Sequence, residues 1–297
     1  MTDADRASRL RDTARRAPAR VDLDELETCL DADSEAVRRH AAEALGCLAL
    51  AGRAVGGFAD RLDRLLDDTE LLDAPVRLSI DQHSEEWFQP RAVAFAVAAL
   101  ASTGAVDREA AITSAVNAYE RQYSEFDAEM RTIAAIREIG WAFASVAIYT
   151  DGYLDVLVGL TEADDDIIRR VGASALSDVA EEYPPVREEY PDETPRLVAV
   201  AAGLLASDPH PRVRYHAAFA LYEYALGRPE LVRDRSDVLE AALRDDAELV
   251  RKDAAGTLGL VDATDARPAL RELAESDPSE RVRDAAAEAL ESLSRGP

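Results

Sequence analysis

An all-α solenoid of about seven helical hairpins is the fold this sequence predicts, and three observations carry the prediction. One nine-residue phrase recurs along the chain, its copies start at intervals near forty residues, and the composition suits close helix packing. Hydrophobic residues make up 47% while aromatics make up only 6%. Alanine recurs throughout, as expected where helix backbones approach each other, whereas a sheet protein would carry more β-branched and aromatic residues. No Gly/Ser linker divides the 297 residues, so one continuous array over 1–297 is the simplest domain organisation.

The phrase opens on an aliphatic residue, usually followed by Arg, and closes on a small residue and Leu. It reads VRRHAAEAL at Val37, IRRVGASAL at Ile168, VRYHAAFAL at Val213, VRKDAAGTL at Val250 and VRDAAAEAL at Val282. Weaker copies stand at Ala92 (AVAFAVAAL) and at Met130 (MRTIAAIRE, followed by Ile139). The starts are separated by 55, 38, 38, 45, 37 and 32 residues, so the two long intervals mark insertions near 70–90 and 181–195. Within each copy the first residue, the small residue four later and the Leu eight later share one helix face, a stripe that has to be buried.

The elements follow in order. Residues 1–20, with Arg6, Arg9, Arg11, Arg15, Arg16 and Arg20 set among Asp3, Asp5 and Asp12, read as a charged helix capping the first repeat. Upstream of most copies lies a short apolar segment, such as Leu23, Leu26 and Leu30, or Leu239, Ala242 and Leu243, which supplies the first helix of a hairpin. Between the two helices stands a turn such as Asp208-Pro209-His210-Pro211, Asp245-Asp246 or Asp277-Pro278. Its Asp is suited to capping the second helix, and Pro is tolerated in that helix's first turn.

These phrases resemble HEAT repeats, particularly the short-repeat group first described in phycobilisome lyases, over roughly residues 20–293. The resemblance implies that the second helices line a concave face. It also implies that the Arg beside the leading aliphatic residue and the Asp of the turn are framework residues linking successive hairpins. That role falls on Arg38, Arg131, Arg169, Arg214, Arg251 and Arg283. Val93 departs from the pattern, so the ladder is expected to break there.

Fifty-nine acidic residues against 34 basic ones give a formal net charge of -25, and Lys252 is the only lysine. This skew resembles proteins of organisms that hold molar potassium chloride, as halophilic archaea do. There the Debye length falls to about 3 Å and like-charge repulsion is screened. The rival reading is an acidic surface meant for a basic partner, against which the acids' spread along the whole chain counts. Cys29 and Cys47 are too few for a disulfide framework, which points to a reducing cytoplasm and buried, unreactive thiols. No run of about eighteen apolar residues and no signal-peptide core appears, so no membrane association is expected.

Two positions of each phrase, the third and the seventh, point outward on the second helix. They hold Arg39 and Glu43, Lys252 and Gly256, and Asp284 and Glu288 in three repeats, an ordinary solvated pattern. They hold Thr132 and Ile136 in the third repeat, with Trp141 and Phe143 beyond. In the fifth they hold Tyr215 and Phe219, with Tyr222 a turn further on. In a chain so short of aromatics, these mid-array residues are the candidate partner-binding positions. Trp87 and Phe88, in the aperiodic stretch Asp81–Pro90, are the other candidates, either gripping a partner or anchoring their own loop. The Tyr/Pro-rich stretch Glu181–Pro191 reads as an extended connector.

Catalysis finds little support. His40, His83, His210 and His216 are followed by Ala, Ser, Pro and Ala, so the His-Glu dipeptides of deoxyhypusine hydroxylase, an iron enzyme built of HEAT repeats, are absent. His40 and His216 share one motif position and read as framework. Asp164, Asp165 and Asp166 lack the spacing of a calcium loop and suit a helix N-terminus. There is no P-loop, dinucleotide fingerprint or nucleophile elbow, and no catalytic residue, metal or cofactor is expected. A nucleic-acid groove would need many free cations, which the sequence does not supply. The function expected is a non-catalytic scaffold or adaptor that binds another protein. A lyase or chaperone acting on a bound chromophore or cofactor is the alternative suggested by the resemblance, and a nucleic-acid-binding protein is a third.

Overall fold

The computed structural model describes residues 3–68, 72, 91–149, 154–182 and 193–295. These residues form fifteen helices of seven residues or more, with no β-strand among them. They fall into two compact units, Met1–Leu157 and Val158–Pro297.

In the first unit, α1 (Asp3–Arg16) leads into α2 (Leu23–Leu30), α3 (Glu35–Leu50), α4 (Ala59–Asp67), α5 (Ala92–Ser102), α6 (Arg108–Gln122) and α7 (Ala128–Tyr149). α8 (Leu154–Thr161) spans the division. The second unit continues with α9 (Asp166–Glu182), α10 (Thr194–Ser207), α11 (Pro211–Gly227), α12 (Ser236–Ala242), α13 (Glu248–Leu260), α14 (Arg267–Ser276) and α15 (Glu280–Arg295). From α2 onward the helices form seven successive pairs. Every copy of the phrase lies on the second member of a pair: α3, α5, α7, α9, α11, α13 or α15.

Within each unit the second helices stack on one another, α3 on α5 on α7, with α1 packed on the free side of α3, and α9 on α11 on α13 on α15. The phrase explains why. Val37, Ala41 and Leu45 are each 2% exposed or less, as are Val213, Ala217 and Leu221, and Val250, Ala254 and Leu258. Small residues set the helix spacing. A Cβ on Gly259 would meet the Ala289 backbone at 2.8 Å, and one on Gly46 would meet the Phe95 ring at 2.6 Å. α5 is buried along its whole length because α3, α6 and α7 all pack against it. α3 and α5 stop at glycines of left-handed backbone, Gly52 and Gly104, each at φ 71°, which lets the chain reverse after the helix.

The turn aspartates act one step away from the role expected of them. Asp208, Asp245 and Asp277 do not cap the helix interior. Each closes its own turn by accepting from the backbone N–H two residues on, that of His210, Ala247 or Ser279, at 2.8 Å. The second carboxylate oxygen is thereby left for an arginine of the preceding repeat. Asp165, from the carboxylate run, does cap α9, accepting from Ile167 and Ile168 N–H at 2.8 and 3.2 Å. That bond accounts for the run as a helix start.

Candidate functional site

A repeated arginine device links the hairpins. Arg169 donates Nε to Asp208 at 2.9 Å and Nη1 to the Ala163 and Asp164 carbonyls of its own turn. Arg214 does the same with Asp245 at 2.6 and 3.0 Å, reaching Asp246 as well, and with the Asp208 and Pro209 carbonyls. Arg251 grips Asp277 through two bonds, 2.8 and 3.1 Å, and the Asp245 and Asp246 carbonyls. In the first unit Arg38 joins Asp68 at 2.5 Å and the carbonyls of Ala32 and Asp33. Each guanidinium therefore ties its own turn to the next one. The Arg251 hydrogen bond holds the Asp277 carboxyl below the usual carboxylate range, against the opposing effect of burial.

Two expected rungs, Arg131 and Arg283, differ from the rest. Arg131 makes no ion pair among the described residues. Where Val93 stands in the ladder position, Arg91 takes over and pairs with Glu138 at 3.1 Å, while Tyr123 donates to the other oxygen of Glu138 at 3.0 Å. Arg283 bonds the Asp277 and Pro278 carbonyls at 2.7 and 3.3 Å. Grooves run along this ladder, one of about 480 Å³ lined by Asp208, Arg214, Asp237 and Asp245, among others. Of its polar groups, Asp208, Arg214 and Asp245 belong to the ladder and are already engaged in it. Among the described residues no group of three or more His, Cys, Asp or Glu side chains could hold a metal ion.

The histidines shared by the first and fifth copies face the preceding helix of the stack. His216 Nδ1 lies 2.9 Å from Ser177 Oγ on α9, and His40 Nδ1 lies 3.2 Å from Arg11 on α1. Burial, then the charges of Arg11 and Arg39, push His40 down to about 4, so its ring is neutral at physiological pH. Cys29 is buried and Cys47 partly so, and burial raises both thiols, leaving little thiolate for chemistry.

Among the candidate binding residues the structure separates core from surface. Ile136 is 4% exposed and Phe143 2% exposed, so both belong to the core of the first unit. The expectation of an exposed Ile136 is corrected: α7 packs against both α5 and α6, and this face of it is covered. Its neighbour Thr132 is bonded to Glu120 of α6. Glu43 is likewise not solvated. It is 1% exposed, because α1 packs on α3 and brings Arg15 and Arg11 to 3.4 and 3.7 Å of its carboxylate. Trp141 is half-buried, and its Nε1 is buried with no hydrogen-bond partner among the described residues. Trp87 and Phe88 lie outside the described residues, as does the stretch 183–192.

On α11 the outcome is different. Tyr215, Phe219 and Tyr222 are all partly exposed, and Leu226, at 52%, is among the most exposed large apolar side chains. Their spacing of four, three and four residues puts them on one helix face, a stripe about 16 Å long at 1.5 Å per residue. The rings of Tyr215 and Phe219 stack at 6.3 Å between centroids. Tyr222 lies against Gly256 of α13, where an added Cβ would meet its ring at 3.0 Å, so the glycine makes room for the aromatic. Leu226 escaped sequence reasoning because it lies beyond the nine-residue phrase. Its position four residues after Tyr222 was the available signal.

The chain is thus an α-solenoid built of helical hairpins. Residues 197–291 match the family of HEAT repeats. Among solved structures, an engineered protein is 21% identical, with 100% of this chain and 80% of that chain covered, at a TM-score of 0.49. Computationally designed armadillo repeat proteins for modular peptide recognition are 17% identical over 92% of this chain and 100% of theirs, with a TM-score of 0.49. The karyopherin Kap121p, bound to the extreme C-terminus of the protein phosphatase Cdc14p, is 14% identical over 98% of this chain and 32% of that one, with a TM-score of 0.46. No curated protein matches the chain. Among the described residues no helix is long and apolar enough to cross a membrane.

Proposed function

We propose that this protein is a non-catalytic scaffold or adaptor that binds a protein partner on the face formed by the second helices of its C-terminal unit. The observation that carries the reading is the partly exposed stripe Tyr215, Phe219, Tyr222 and Leu226. Regular repeats place charged or small residues at the corresponding positions, and an aromatic row left open to solvent is what a binding hot spot requires. Trp141 is a second, lesser contact in the first unit.

Phe219→Glu and Tyr222→Glu are each expected to abolish co-purification of the partner from native extract while leaving the helical circular dichroism signal intact. Unchanged co-purification by a folded variant removes this face from the reading.

The acidic composition we read as adaptation to a cytoplasm of molar salt. Unfavourable repulsion within a chain of net charge -25 then has to be screened for the fold to persist. Helicity is expected to fall as potassium chloride is lowered below molar concentration. Full helicity in dilute buffer would contradict it.

A further inference from the structure

α1 is held on α3 by little apolar surface. Among its described side chains only Ala7, Leu10 and Ala14 are buried, and two of these offer no more than a methyl group. The rest of the hold is polar. Arg15 and Arg11 lie 3.4 and 3.7 Å from the carboxylate of Glu43, which is 1% exposed, and Arg11 Nη1 lies 3.2 Å from His40 Nδ1. A fourteen-residue helix is marginal in water by itself, so α1 keeps its shape only while it is docked.

The contact between Arg11 and His40 has one possible direction. A guanidinium offers donors and no acceptor, so Nδ1 of His40 must present its lone pair, and the ring is neutral with its proton on Nε2. A proton on Nδ1 would set one cation against another at hydrogen-bond distance. The groups around the ring do not offset this. From α1, Arg15 adds to the repulsion, while Asp12 is exposed and already takes Nε and Nη2 of Arg11 at 3.0 and 2.8 Å. On α3 itself Arg39 also opposes a charged ring, and Glu43 is engaged by the α1 arginines. From α2, Glu25 and Glu27 are paired with Arg6 and Arg61, and α5, on the other side of α3, carries no charged side chain. Burial first, then Arg11 and Arg39, thus push His40 from its ordinary value of 6.5 to about 4.

We propose that the α1–α3 contact is an acid-sensitive latch, in which protonation of His40 displaces Arg11 and undocks α1 from α3. Undocking carries Arg11 and Arg15 away and opens the ring to water, so the undocked state holds the proton more strongly. Support for docking is therefore complete above the ordinary histidine value of 6.5 and is lost as pH falls from there towards about 4. His216, at the same motif position, is not built this way. Its Nδ1 meets the hydroxyl of Ser177, which can accept as well as donate, so a charged ring keeps that contact.

The test uses the full chain in potassium chloride at a concentration where it is folded, and reads backbone hydrogen exchange by mass spectrometry. The parent is compared with His40→Gln, whose side-chain oxygen accepts from Arg11 but does not titrate. Intrinsic exchange chemistry cancels between the two at each pH. Segment 3–16 is expected to exchange alike in both at pH 7.5 and about tenfold faster in the parent at pH 5, where values of 6.5 and about 4 set a ceiling of roughly thirtyfold. The α15 segment is expected to match in both chains at both pH values. If His40→Gln does not fold, the parent alone decides: α1 should accelerate about tenfold more than α15 between the two pH values, following the ring titration of His40 seen by NMR. A parent-to-variant ratio that does not change with pH overturns the inference, as does acceleration of α1 and α15 together, or a His40 ring that titrates near 6.5 while α1 stays protected.

Discussion

Arg251→Ala is expected to lower the stability of the C-terminal unit by about 3 kcal/mol, the cost of leaving one member of a buried, hydrogen-bonded ion pair without its partner. The side chains of Arg251 and Asp277 are 12% and 4% exposed, and the arginine also satisfies the Asp245 and Asp246 carbonyls. One substitution therefore strands a carboxylate and loosens two turns. The exposed Arg281→Ala, at a position with no such role, is expected to change stability by no more than about 0.5 kcal/mol. The effect depends on pH with a definite sign. Asp277 has a folded-state pKa below its unfolded value, so the stabilisation is fully present above the unfolded carboxylate value of about 4 and is lost as pH falls through the folded value. Urea unfolding of parent and variant at pH 7 and in acid checks this, and the two should converge in acid.

Gly172→Ala is expected to destabilise by about 2 kcal/mol although alanine is the better helix former. A Cβ there would stand 2.8 Å from the Leu160 carbonyl carbon, the Leu160 Cβ and the Thr161 nitrogen, so α9 and the end of α8 have to part. Backbone on the opposing side cannot swing away as a side-chain tip does. Gly203→Ala in α10 is the internal comparison. Nothing lies within 4 Å of its Cβ, so helix propensity acts alone and stability is expected to rise by up to about 1 kcal/mol. Thermal unfolding of both variants reads opposite signs if packing at Gly172 decides. A shared sign would show that propensity outweighs contact.

The helices were legible because the phrase encodes its own burial. Val213, Ala217 and Leu221 fall on one face of α11, and only packing of that face accounts for residues so small and so regular. The arginines beside the leading aliphatic residue were equally readable, since the Asp that each takes recurs one repeat later at Asp208, Asp245 and Asp277. What sequence could not supply was which helix covers which. Ile136 and Phe219 occupy the same motif position, yet the first is core and the second is partly open, and the motif is silent on that difference. Glu43 shows the same limit: its burial depends on Arg11 and Arg15 of α1, outside every copy of the phrase.

Hydroxyl-radical footprinting of the protein, alone and with its co-purified partner, tests the partner-binding face most directly. Tyr215, Phe219, Tyr222 and Leu226 are partly or largely open in the free protein and should each be oxidised more slowly in the complex. The exposed Phe126 and Met130 of the first unit should react unchanged. Protection at Phe126 and Met130 with undiminished oxidation along α11 would contradict the account and move the interface to the other unit.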